Sequence, residues 1–544
     1  GLYNIPARTN VAVAPSDPNI VYAQFAAGYM TGASYYNYLG RYIIKTQNGG
    51  ANWLPVNIPD DEDWAVRAWH NFILRVDPAN PSVIYSGGID LWKTMNSGVS
   101  WNHVSDWRDM YSGGGDDYVH GDQHNIKYQP GTNSTAVFSS DGGVFLSVTA
   151  DYSYPIFIER NQEYNTLQNY TCAINPIAGS EEYLGGMQDN GTILYQGEPF
   201  GINNMISGGD GAYCFYDEDE PEIFLTSSQY SNYTTWENGN PKDSFYGYYA
   251  GGATFICPAD YNYKDNTLYC NGVFYWGANA DYIYRVSNIP LGVAENMVYV
   301  GTNSLVPFSH VKYSEYSPLG TTTLFLGTQS GGLFKVENAE TTPVTTELTG
   351  PSFPTANISC IAIGSSEDIL TVTFSNYGVS SVWFTEDGGE NWVEKEGNLP
   401  DMPIRWAIFH PDNDGQVMLA TETGIWVTNM MLEDETRWCP ANEGMANVRV
   451  DMLKFRKSDH TVLAATHGRG LFTATYEFNQ FYVGMEEMIT ERVNFDMYPN
   501  PSTNVVNINL ENWNQQTVSV ILCDMNGRKV YQDEIHLQKG SSLT

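Results

Sequence analysis

Ten times along this chain an apolar-alternating stretch runs into a Pro-, Asp- or Asn-rich turn, then a second short apolar stretch ends in small residues. The units start at Val11, Ile73, Ile126, Cys172, Ala212, Ile256, Val311, Cys360, Ala407 and Met452, about 40 to 60 residues apart. Alternation with period 2 is the mark of strands, and the interval is that of a four-stranded propeller blade. Many units continue into a third strand and a Gly turn. Helical periodicity is nearly absent; only Thr436 to Val448 suggests a turn or two. The fold class read from this recurrence is all-β, a propeller of about ten blade-like units. Ten units allow one large ring or two propellers of which the first is incomplete, and the reading leans to the single ring.

Composition agrees. The 38 Tyr, 14 Trp and 51 Gly suit β-branched and aromatic strands joined by many turns. With 26 basic against 62 acidic residues the net charge is −36, which repels phosphate backbones and anionic headgroups and excludes nucleic acid as a partner. The same acidity suits extracellular solubility and leaves carboxylates free to recruit calcium. No apolar run reaches the length of a membrane span. Gly1 is not followed by a basic and then an apolar region, so an export signal, if there was one, has been removed. Seven scattered cysteines show no CxxC spacing, which argues against a zinc ribbon. Cys257 and Cys270 flank a turn-rich segment and are the pair placed to form a disulfide, although spacing alone does not set the Cα separation a bridge needs.

Three units carry a further pattern between their last strands: KTQNGGANW (45–53), KTMNSGVSW (93–101) and FTEDGGENW (384–392). Asn48, Asn96 or Asp387 can accept from backbone N–H groups ahead of it. The glycines that follow admit positive φ, and Trp53, Trp101 or Trp392 can pack under the hairpin. These residues resemble the Asp-box, or BNR, repeat of sialidases, sortilin-type receptors and xyloglucanase-like glycosidases, with Asn in place of Asp in two of the three. The resemblance implies a β-propeller and says little about chemistry, since the hairpin is a folding device at the blade periphery. Together with GGMQDNGT (185–192), GGDGAY (208–213) and ATHGRGLF (465–472), these motifs resemble the secreted WD40/YVTN/BNR-like repeat proteins of Bacteroidetes-type bacteria over about residues 1–475.

Past Tyr476 the pattern changes. A linker over 479–494 precedes strand-turn-strand segments beginning FDMYPNP. Tyr498, Pro499, Asn500 and Pro501, with the hairpin turn at Asn526-Gly527, resemble the type A C-terminal sorting domain of the type IX secretion system. The expected organisation is a propeller over 1–478, the linker, and a small β-sandwich-like sorting domain over 495–544. That domain ends before the last strands of the family, and Gly1 opens inside a blade-like unit, so a piece of a longer precursor is expected. The resemblance implies the type IX machinery as partner, and secretion or attachment at the outer-membrane exterior of a Gram-negative bacterium.

The sharpest constellation is His120, Asp122 and His124. On an extended strand, alternate side chains share a face, so two imidazoles and a carboxylate can converge on a transition metal, or Asp122 can act as an acid or base. The plainer role is a polar network within the fold. Asp141, Asp189 and Asp210 each sit beside glycine. The family resemblance makes them, with Asp122, candidate carboxylates for glycan binding or hydrolysis; each is also an ordinary Asx-turn residue. The aromatic run Tyr230 to Tyr249 is either a sugar-stacking loop or strand packing. No arginine triad of the sialidase kind is evident. Three functions follow: a secreted binding or scaffold propeller holding glycan or protein, a xyloglucanase-like glycoside hydrolase, or a structural or adhesive component of an extracellular assembly.

Overall fold

The computed structural model describes residues 5–31, 35–61, 64–162, 165–197, 201, 203–247, 254–271 and 280–476, with strands alone within 496–543. Ten antiparallel sheets form in chain order over residues 5–476, nine four-stranded and the tenth three-stranded, each a simple meander. Their first strands are Ile5–Val13, Ile73–Val76, Gln123–Tyr128, Asn169–Ile174, Phe215–Tyr216, Ala259–Asn262, Phe308–Tyr313, Ile358–Ile363, Ile404–His410 and Val450–Arg456. Each coincides with, or lies beside, one of the ten repeat starts. Second strands such as Leu324–Thr328 and Leu370–Phe374 are buried at every position, whereas the outer strand Val344–Glu347 is mostly exposed. A strand covered on both faces by neighbouring sheets has no polar face, which is why these runs are almost continuously apolar.

The chain divides into two compact units, Gly1–Tyr164 and Asn165–Thr544. The first contains sheets one to three. In the second, sheets four to ten close on themselves. Cys172 and Tyr183 of sheet four share a buried cluster with Met452, Leu463 and Ala465 of sheet ten. Arg456 donates to the carbonyls of Asn175 and Ser180 at 3.1 and 2.8 Å. The backbone N–H groups of Gly468 and Gly470 both donate to Leu167 O, at 3.1 and 3.0 Å, so THGRG is the turn that fastens the ring. Seven sheets therefore complete a circle, within the usual range of four to eight, and the single ten-sheet ring does not form.

The three related hairpins share one hydrogen-bond set. The hydroxyl of Thr46, Thr94 or Thr385 accepts from the N–H four residues on, at 3.0, 2.9 and 3.1 Å. Asn48, Asn96 or Asp387 accepts from the N–H of Asn52, Ser100 or Asn391 at 2.9, 3.0 and 2.9 Å. Asn serves as well as Asp because the bond shared by all three hairpins uses one acceptor oxygen. Trp101 and Trp392 donate to Asn57 O and Leu348 O, ahead of their own sheets. Trp53 differs: it is 40% exposed, since its sheet follows no other among the described residues.

Two local expectations are corrected. Cys257 and Cys270 are free, buried thiols donating to Asn271 O and Gly247 O. The register pairs Cys270 with Ala259, which leaves Cys257 two residues beyond it. Thr436–Val448 holds turns and the short strand Cys439–Pro440 in place of a helix. In the tail, Thr517–Cys523 pairs antiparallel with Lys529–His536. The linker and Pro499, Asn500, Pro501 and Gly527 lie outside the described residues, and Tyr498 ends the strand Asp496–Tyr498.

Candidate functional site

His120, Asp122 and His124 do not share a face. Asp122 has φ +65°, a conformation that its short polar side chain tolerates, and the strand begins only at Gln123. Pairing then steps from Ser140↔Gln123 to Ser139↔Asn125, so His124 is the extra residue of a β-bulge. A bulge re-aims one side chain, and here it turns His124 toward the next hairpin. His120 is buried against Gly142, where any added Cβ would come within 2.1 Å of the imidazole.

What converges instead is His70, His124 and Asp141, whose ligand atoms all lie within 4.8 Å of one another. His70 Nε2 is 3.1 Å from Asp141 Oδ2, and His124 Nε2 makes a short contact with Oδ1 of the same carboxylate. The two imidazoles meet edge to face, centroids 4.9 Å apart. All three side chains keep an open side, with 37%, 36% and 22% of their surface exposed.

Behind them Asp122 is the bracket. Its carboxylate accepts from Arg67 Nη1 at 3.1 Å and from Asn71 Nδ2, and its carbonyl accepts from Asp141 N at 3.2 Å. Asp122 N and Gln123 N donate to Ile89 O and Gly88 O, which ties the site to the hairpin of sheet two. Arg67, His70 and Asn71 come from the loop between sheets one and two. That loop is anchored by Trp64 Nε1 on Ser86 Oγ at 3.1 Å, and passes so close to Gly88 that Trp64 O would lie 2.2 Å from a Cβ there.

Burial raises Asp122 above the ordinary carboxylate range and the nearby Asp141 charge adds to this, while Arg67 and Asn71 offset part of it. Burial pushes Asp141 up as well, but hydrogen bonds from His124 and His70 outweigh it and hold this carboxyl below its usual value. Two neighbouring carboxyls are thus driven in opposite directions. Two imidazoles and one ionised carboxylate with an open side form the donor set of a three-ligand transition-metal site. Hard, oxygen-rich calcium ligation fits them less well. Beside His70 the indole of Trp69 is 64% exposed, ring centroids 5.4 Å apart.

Asp189 and Asp210 belong to the seven-sheet unit. Asp210 Oδ1 accepts from Asp189 N at 3.0 Å, and Asp210 N donates to Gln229 Oε1 at 3.0 Å. The Asp210 carboxylate thereby joins two turns, while Asp189 takes part through its backbone N–H. The aromatic run behaves mostly as packing: Tyr233 is buried and stacked on Phe245, while Tyr230 and Tyr246 stay exposed. Sequence reasoning missed Arg67, His70 and Asn71, which sit in an aperiodic loop. The available signal was the Gly121-Asp122 dipeptide, a turn former that should have broken the assumed strand.

An all-β protein built of propeller-like sheets, followed by further strands in the tail, is the class these features define. Residues 496–544 match the family model of the secretion system C-terminal sorting domain. No curated protein matches the chain. Among solved structures, the crystal structure of an ancestral GH74 enzyme aligns with a TM-score of 0.54 at 11% identity, covering 87% of this chain and 73% of that one. At that identity the likeness concerns the fold, and it is that of a β-propeller. The tail is a type IX sorting domain, so the protein is exported, to be secreted or attached at the cell surface. No helix among the described residues is long and apolar enough to cross a membrane.

Proposed function

We propose that this exported propeller is a glycan-binding protein whose ligand seat lies on the three-sheet unit. A divalent transition metal held by His70, His124 and Asp141 meets the sugar hydroxyls, and the exposed face of Trp69 stacks on the ring. The observation that carries this reading is the approach of two imidazole nitrogens to the two oxygens of one carboxylate, from three separate segments, beside a solvent-facing indole. Sugars are held by this combination of aromatic stacking and directed polar groups. The test is a glycan array followed by calorimetry on the best ligand. Trp69→Ala and His124→Ala should each weaken binding at least about tenfold, with no change in melting temperature for the exposed Trp69. Unchanged affinity in both variants would place the seat elsewhere.

A second reading, glycoside hydrolysis, draws support from the opposed pKa shifts, since neighbouring carboxyls moved in opposite directions are how two carboxyls divide acid and base roles. It assigns Asp122 as acid and Asp141 as base. Release of reducing ends from the bound glycan, lost in Asp122→Asn, would favour it over binding alone.

A further inference from the structure

The aromatic run beginning at Tyr230 falls in sheet five, whose second to fourth strands are Ile223–Ser228, Asn232–Glu237 and Asn240–Tyr246. Their register sets Thr226, Thr234 and Ser244 in one cross-strand row and Ser228, Asn232 and Tyr246 in the next. Cross-strand partners share a face, as do alternate residues of a strand, so these six side chains point the same way. Tyr233 and Phe245, the residues between them, turn the other way into a buried cluster with Tyr261 and Leu268 of sheet six. The face with the two polar rows looks toward sheet four. Trp236 packs there with Leu184 and Leu194 of sheet four and closes the gap between the sheets. Beyond Trp236 the gap opens into a cleft of about 440 Å³, bordered on the sheet-four side by Ser207 and Gly208.

Two features set this cleft apart. Among the described residues no charged side chain lines it, in a chain with 62 acidic residues. The charges nearest along the strands are engaged: Lys242 pairs with Glu237 at 2.7 Å, and Asp243 accepts from Ser244 N at 2.9 Å and Val293 N at 3.4 Å. The wall also combines hydroxyls and an amide with an aromatic ring, since Tyr246 is 59% exposed. The Thr234 and Ser244 hydroxyls lie 3.4 Å apart, a long contact that a better-placed ligand oxygen can replace. Asn232 donates one amide hydrogen to Gln229 O at 2.7 Å, which leaves its carbonyl oxygen and second hydrogen for a ligand.

We propose that this cleft is a second ligand site, for a neutral saccharide of one or two pyranose rings. The Tyr246 ring carries the C–H face of one sugar, and Asn232, Thr234 and Ser244, about 5 Å apart across the strands, meet its hydroxyls. A charged sugar gives up its water here with no counter-charge to meet it, which disfavours uronates and amino sugars. An apolar ligand leaves the hydroxyls and the amide unanswered. The volume lies in the range of small-ligand sites. The cleft belongs to the seven-sheet unit and calls for no metal, so it stands apart from the seat proposed above.

The test is saturation-transfer difference NMR on the full chain in EDTA, which withdraws any metal from the three-sheet unit. Cellobiose, lactose and maltose are the neutral probes, with glucuronate and glucosamine as the charged controls. At least one neutral disaccharide should bind, with both charged sugars at least about tenfold weaker. Tyr246→Ala, at an exposed position, should weaken that binding at least about tenfold without lowering the melting temperature. Thr234→Val, which keeps the shape and removes the hydroxyl, should weaken it several-fold. Trp69→Ala and His124→Ala should leave it intact, which separates this cleft from the other seat. Absence of binding by all three disaccharides, a charged sugar bound as tightly, or unchanged affinity in both Tyr246→Ala and Thr234→Val would overturn the proposal.

Discussion

Replacing Asp122 tests the bracket that positions the three-sheet site. In Asp122→Ala, Asn71, a fully buried residue, loses the acceptor of its Nδ2, at a cost of ~1–3 kcal/mol. The Arg67 pair contributes less, ~0.5–1 kcal/mol, because that guanidinium is 54% exposed and screened. Alanine at φ +65° adds about 1 kcal/mol of backbone strain that aspartate relieves only in part and glycine avoids. The sum is roughly 3–4 kcal/mol, two to three orders of magnitude in local opening. Hydrogen exchange read by mass spectrometry over 64–72 and 120–126 should accelerate by that factor in Asp122→Ala, by less in Asp122→Gly, and least in Asp122→Asn. The ionisation of Asp122 gives a second signature. Its folded pKa is raised, so the native state holds the proton more tightly than the unfolded chain. The stability it contributes is complete below the unfolded carboxylate pKa and is lost as pH rises through the folded value. Asp122→Asn removes that dependence. Equal protection in the alanine and glycine variants, or a pH profile unchanged in Asp122→Asn, would refute the bracket.

Other consequences follow from the same structure. Lys93 is fully buried, its ammonium donating to Ala150 O and Tyr152 O at 2.6 Å, and burial lowers its pKa from 10.5 to about 8. Between those values the unfolded chain holds more protons than the native one, so the stability of the three-sheet unit should rise with pH from about 8 to 10.5, by about 3 kcal/mol at most. Chemical denaturation across that range should show the rise in the native protein and its absence in Lys93→Met. At the hairpin of sheet eight, Thr385→Val removes the hydroxyl that accepts from Asp387 N and Gly389 N, and should cost ~1–2 kcal/mol by denaturation. A melting temperature insensitive to reductant is expected, since none of the six described cysteines is paired.

Most of the ring was legible because each sheet repeats the same local instruction. A first strand alternates, a Pro, Asp or Asn turn follows, and the second strand reads apolar throughout, as at Val311 to Thr328 and Cys360 to Phe374. Such signals are local, and local periodicity survives translation into structure. Ring closure was not legible, because it depends on packing between Cys172 and Met452, 280 residues apart. The candidate site was half visible. His124 and Asp141 were found by their chemistry, but Asp122 entered the left-handed region and the bulge moved His124 by one position. The partner that completes the cluster, His70, stands in a loop that no period describes.

The proposed ligand seat requires His70, His124 and Asp141 to form one metal site. Elemental analysis of the full chain, equilibrated with zinc, cobalt or manganese and then desalted, tests this directly. One transition metal per chain is expected in the native protein and in His120→Ala, with loss in His124→Ala and Asp141→Asn. A native protein that retains no metal, or retention unchanged in those two variants, would contradict it.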